Sequence, residues 1–212
     1  MIDLMDSIWG NGAPRAKQRW ETVFGAAIGW QVLYLVGRLS ARKWLKLTEK
    51  PQDKITERDW GSKIVSICHA CLAVSMATSL IGKLPKNNTA EIDWTSKAVD
   101  VLSITMGYYL WETYNSFQLG DSLLILRSVA GFLVFVVGSA PFAIQSALAF
   151  LIQELTTPFL VFHWLCNQME MKESGIQLIN AFLLVLVFFR VRIVFGISSS
   201  YEFFECRRSL QI

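Results

Sequence analysis

The stretch from Pro141 to Trp164 is long enough to cross a bilayer, yet it carries an acid, Glu154, near its centre. An ionised carboxylate at mid-membrane costs roughly 2.5 to 3.5 kcal/mol on the translocon scale, so Glu154 must face the inside of a helix bundle and find a partner there. Pro158 follows one turn later. Its ring removes a backbone hydrogen bond and bends the helix close to the acid. A bent span with a buried charge reads as the wall of a site.

The rest of the chain fits a bilayer. Of its 212 residues, 53% are hydrophobic and only 17% charged, which is the composition of one polytopic membrane domain. A net charge of +3, spread over short basic stretches, gives no nucleic-acid footprint. Met1 to Asn11 lacks the apolar core of a signal peptide, so the first span is expected to do the targeting. Cys68 and Cys71 have CxxC spacing within an apolar helix, and Leu72 stands where a haem-attachment motif needs histidine. They read as buried, inert thiols, and neither a metal nor another cofactor is expected.

Six apolar segments organise the chain. They run over about Val23 to Gly37, Ser62 to Ile81, Ala98 to Phe117, Ser122 to Gly138, Pro141 to Cys166 and Ile176 to Ile197. The fold class is therefore all-α, a six-span membrane bundle over residues 21–197, with a polar interfacial segment at 1–20 and a polar tail at 198–212. An even number of spans puts both termini on one side. Gly25-Ala26-Ala27-Ile28-Gly29 has small-residue spacing that suits internal packing against another helix. Arg38 to Asp59, with seven basic and four acidic residues, reads as a loop or surface helix, and Lys83 to Thr95 as a polar loop. Gln118 to Asp121 reads as a tight turn. Positive charge divides almost evenly between the two sides, so counting alone leaves the orientation open. Asn87-Asn88-Thr89 is a glycosylation sequon that matters only if the terminal side is lumenal.

Depth below a turn identifies which polar residues can meet. Glu112 lies about seven residues before the Leu119-Gly120 turn and Arg127 about seven after it, both about 10 Å into the bundle, so they can pair. His69, a similar distance into the second span from the same side, shares their level. Glu154 lies deeper, and Arg190 and Arg192 lie toward the opposite side. A packed ion pair with satisfied neighbours and a binding site are both consistent with this pattern. Arg127 stays protonated at any accessible pH, so it can hold an anion but cannot act as a base. Only His69 and the two glutamates can move protons.

The order of these elements resembles the TLC domain family, which includes the ceramide synthases. The resemblance covers about residues 20–200 and is carried by Trp60 to Ala70, by Gly107-Tyr108-Tyr109-Leu110-Trp111-Glu112, by Glu154-Leu155-Thr156-Thr157-Pro158-Phe159 followed by His163-Trp164, and by Phe188-Phe189-Arg190-Val191-Arg192-Ile193. It implies cytosolic termini, an unglycosylated Asn87 and residence in the endoplasmic reticulum. Ceramide synthases carry adjacent histidines where this chain reads Arg127-Ser128-Val129-Ala130. If those histidines supply acid–base or nucleophilic function, this chain lacks that route to acyl transfer.

The expectation is a catalytically silent membrane protein that binds or organises lipids through His69, Glu112, Arg127, Glu154 and His163, or that serves as a subunit of a membrane complex. The alternative is an active lipid-modifying acyltransferase using His69 with Glu112 or Glu154. A transporter is disfavoured, since the sequence shows neither an internal repeat nor paired broken helices. Partners are therefore membrane lipids or membrane proteins, not nucleic acid.

Overall fold

A computed structural model describes residues 13–47, 54–81, 88–139, 143–169, 171, 174–198 and 201. Six helical rods follow one another, and no strand occurs among the described residues. The first four are α1 (Ala13–Leu47), α2 (Lys54–Leu80), α3 (Asn88–Leu119) and α4 (Ser122–Gly138). The fifth is broken into α5 (Ile144–Leu151), a 3₁₀ segment (Ile152–Thr156) and α6 (Thr157–Gln168). The sixth is α7 (Gly175–Phe188), continued by a π-helical segment (Phe189–Phe195). Rods one, two, five and six are long and apolar enough to cross a membrane, and α4 is a shorter apolar helix. The protein is a six-helix membrane bundle.

The third helix is its axis. α1 and α4 both pack along α3, with α2 and α5 completing the enclosure. Leu102, Ser103, Thr105, Met106, Tyr108 and Trp111 are all buried. A helix surrounded by protein can carry polar groups if neighbours satisfy them, whereas a lipid-facing helix cannot. Gly107 sets the closest approach. A Cβ there would lie 2.5 Å from the Val23 carbonyl oxygen and 2.7 Å from the Ala26 Cβ, so only glycine lets α1 come this near. Two further bonds tie the pair together: the Trp111 indole N–H donates to Gln31 at 2.9 Å, and that of Trp30 to the Ile104 carbonyl at 3.4 Å.

The tight turn between α3 and α4 is present. Gly120 adopts φ 72°, a left-handed conformation open to glycine, and the Asp121 carboxylate caps α4 by accepting from the amides of Leu123 and Leu124.

Three expectations need correction, and a fourth is decided between its alternatives. The charged stretch after Gly37, read as a loop or surface helix, is helical at its start, because α1 continues to Leu47. Arg38 and Arg42, one turn apart, both reach Glu57 at the start of α2, at 3.8 and 2.8 Å, and this clamp extends the helical pair beyond its apolar part. Helix α3 likewise begins at Asn88, within the stretch read as a polar loop. Gly25 and Gly29 do not pack internally. Both are exposed with no neighbour within 4 Å of a Cβ position, because α1 turns Val23, Ala26 and Ala27 toward α3 instead. Cys68 and Cys71 are free but exposed rather than buried. The inward face of α2 is taken by Val65, His69 and Ala73 at four-residue spacing, which rotates both thiols outward. The sequon asparagine Asn87, the segment before Ala13, Cys206 and the tail beyond Tyr201 lie outside the described residues.

Candidate functional site

The break in the fifth rod positions its acid. Pro158 has no N–H to give the carbonyl of Glu154, one α-helical turn back. That carbonyl accepts instead from the Thr157 amide in a tighter turn, so the chain runs as a 3₁₀ segment up to the proline. The segment packs against α2, the helix that carries His69, and leaves Glu154 only 7% exposed. Its carboxylate is held at both oxygens. Tyr109 donates to Oε1 at 2.9 Å and Thr157 to Oε2 at 2.7 Å.

A second acid is held one level away. Glu112 of α3 is paired with Arg127 of α4 through Arg127 Nη2 and Glu112 Oε1, as their equal depth below the turn implies. The same oxygen accepts from the Tyr108 hydroxyl at 3.0 Å, one helical turn earlier. Ser66 lies 3.3 Å from that hydroxyl, while Asn115 donates to Ser62 at 2.9 Å, joining α3 to α2. Burial in the pair is unequal: the Arg127 side chain is 45% exposed and that of Glu112 11%. The guanidinium thus closes the cluster from outside and keeps an open flank.

His69 of α2 joins this cluster through its ring. It is 1% exposed and stacks on the Tyr108 ring, with centroids 3.8 Å apart and planes within 3°. The edges of Trp30 and Tyr109 close on it at 5.8 and 6.3 Å. Both Glu154 and Arg127 are within electrostatic reach of the imidazole. Neither of its nitrogens has a hydrogen-bond partner, nor has the second oxygen of Glu112. Buried polar atoms left bare in this way are uncommon and mark places where a polar ligand or water belongs.

Four of the five candidates, His69, Glu112, Arg127 and Glu154, therefore converge from α2, α3, α4 and the 3₁₀ segment into one knot. His163 does not join it. It sits nine residues beyond Glu154, about 13 Å along the rod, with its Nδ1 buried and unpartnered. Sequence reasoning does not single out Tyr108, Tyr109 or Thr157, although Tyr108 stands four residues before Glu112 and Thr157 three after Glu154, spacings that put these two beside their acids on a helix.

The polar groups of the knot are largely engaged with one another. Each acid is already engaged by a phenol, and one of them by a cation as well. Ser128 is fully buried and donates to the Leu124 and Ile125 carbonyls of its own helix, at 2.8 and 3.1 Å, so no activated hydroxyl faces His69 from that position. Among the described residues no group of three or more His, Cys, Asp or Glu side chains could hold a metal.

The sequence family fits this architecture. The TLC domain matches residues 59–208, more than two thirds of the chain and every helix that supplies the knot. The chain belongs to the TLC domain family. Two proteins similar to it are named uncharacterized TLC domain-containing proteins. One, from Schizosaccharomyces pombe, is 21% identical over 198 residues, covering 90% of this chain and 67% of the relative. The other, from Saccharomyces cerevisiae, is 28% identical over 110 residues, covering 48% of this chain and 35% of the relative. No solved structure matches. Within this TLC domain, Arg127 is locked onto Glu112 and Ser128 is satisfied within α4.

Proposed function

We propose that this TLC-domain protein holds a membrane amphiphile at the polar knot and does not turn it over. The observation that carries the reading is the set of bare polar atoms, both nitrogens of His69 and the second oxygen of Glu112, bridged by Tyr108 inside a membrane bundle. Unpaired groups in that setting each cost on the order of 1 to 3 kcal/mol, and a hydroxyl or amide from a bound amphiphile removes the cost. An anionic part of the same molecule fits the open flank of Arg127, whose planar guanidinium has donors beyond the one given to Glu112. Catalysis is disfavoured by the same contacts, since neither glutamate is bonded to His69 as an orienting partner and no described nucleophile is bonded to it.

The test is to purify the full chain in mild detergent, extract the bound lipid and identify it by mass spectrometry. An amphiphile at near-stoichiometric level in the native protein, and depleted in Arg127→Met, is expected. An empty, folded protein would contradict the reading and leave a purely architectural role for the knot.

A further inference from the structure

The knot does not use a second polar feature, on the far side of the broken rod. The 3₁₀ segment of the fifth rod and the π segment of the sixth pack against one another, and between them opens a cleft of about 460 Å³ lined by Phe150, Gln153, Arg192, Gly196, Ile197 and Tyr201. That volume falls within the range of ordinary small-molecule sites. Three observations show the cleft to be built around a cation. The Arg192 guanidinium lies over the Phe188 ring, 5.6 Å from its centroid. Its Nε is buried without a hydrogen-bond partner, and among the described residues no carboxylate pairs with it. Gly196 keeps the floor open, since a Cβ there would already press to 3.3 Å from the Gln153 amide nitrogen.

The π turn explains how an arginine comes to face inward on an otherwise lipid-facing rod. A π turn admits one more residue per turn than an α turn and rotates the side chains that follow, a distortion found mostly where function requires it. Arg192 lies within about two turns of the end of the rod, on the side of Ile197 and Tyr201. A ligand with its charge on Arg192 thus has its apolar part against Phe150 and Ile197, and beyond them the bilayer. Arg190, by contrast, is exposed on the outer surface.

We infer that this cleft is a second binding site that takes the phosphate of an anionic membrane phospholipid, with the lipid phosphate on Arg192 and its acyl chains leaving along Phe150 and Ile197. It shares no residue with the knot and stands whether or not the knot holds an amphiphile. Two phosphate oxygens accept parallel N–H bonds from one edge of the guanidinium, the bidentate geometry for which an arginine is suited and a lysine is not.

The experiment is native mass spectrometry of the full chain released from nanodiscs containing equal amounts of phosphatidic acid and phosphatidylcholine. The native chain should retain phosphatidic acid in preference to phosphatidylcholine. Arg192→Gln should reduce that retention about tenfold, and Arg190→Gln, with the same change in net charge, should leave it unchanged. Gly196→Leu fills the cleft while keeping the arginine and should also expel the lipid, so the inference remains testable if Arg192→Gln does not fold. Equal losses in Arg192→Gln and Arg190→Gln would overturn it in favour of general surface charge. Displacement of the lipid by inorganic phosphate would equally overturn it, making the cleft a site for a free anion.

Discussion

The third helix and the sixth rod are both membrane-length elements of one bundle, and they manage polarity in opposite ways. Along α3, Tyr108, Tyr109, Glu112 and Asn115 are buried and bonded across to α2, α4 and the 3₁₀ segment, while Ser103 is satisfied within the helix. Along α7, Leu178, Ile179, Phe182 and Val185 are 62 to 71% exposed, facing where lipid must be. Where the sixth rod does turn a charge inward, at Arg192, it meets the Phe188 ring and no described carboxylate. The difference shows that the cost of a polar group in a membrane is set by what surrounds it. A central helix can be nearly as polar as a soluble one, while a peripheral helix is apolar except where a neighbour bonds its polar groups, as the fifth rod does for Gln177 and Asn180. This is also why α3 is absent from the helices apolar enough to be recognised as spans by composition.

The comparison can be broken most forcefully at the ion pair. Arg127→Met strands Glu112 and should cost about 3 to 5 kcal/mol of stability in detergent, whereas the double variant with Glu112→Gln should cost less than Arg127→Met alone. Glu112→Gln alone should be milder than Arg127→Met, because the cation it leaves is half-exposed and the acid is not. Chemical or thermal melting of the three variants reads this, and additive losses would contradict a coupled pair. A steric test comes next. Gly107→Val drives a side chain into the α1 backbone and should cost about 3 kcal/mol, while Gly25→Val and Gly29→Val, on the outward face of the same contact helix, should melt close to the native protein. Smaller again is Tyr109→Phe, which removes one of the two donors holding Glu154 and should cost about 1.5 to 3 kcal/mol. On the sixth rod the expected effect nearly vanishes. Leu178→Ala should stay within about 0.5 kcal/mol, and a loss as large as that of Tyr109→Phe would mean that this face is covered by protein.

How much of this was legible in the sequence follows from the same contrast. The six segments, the pairing of Glu112 with Arg127 and the inward placement of Glu154 were readable, because a charge inside an apolar span admits few solutions and helix rise fixes depth. The break at Pro158 was readable for the same kind of reason, since proline has no N–H to give. Rotation about each helix axis was not readable from an apolar run, in which every face looks alike. Nothing in the pattern therefore shows that Cys68, Cys71, Gly25 and Gly29 point out, as they do in the structure. The roles of Tyr108 and Tyr109 were hidden because tyrosine serves equally as core, interface or donor, and only the fold distinguishes these. The cleft at Arg192 depended on a π turn, which no residue pattern announces.

A knot that holds an amphiphile without reacting with it can be tested by incubating the purified full chain with a sphingoid base and an acyl-CoA, beside a ceramide synthase in the same detergent, and following product and protein-bound lipid together by mass spectrometry. Bound amphiphile and no N-acylated product are expected from this chain while the control turns over. Product that forms with the native protein and disappears in His69→Ala would contradict it.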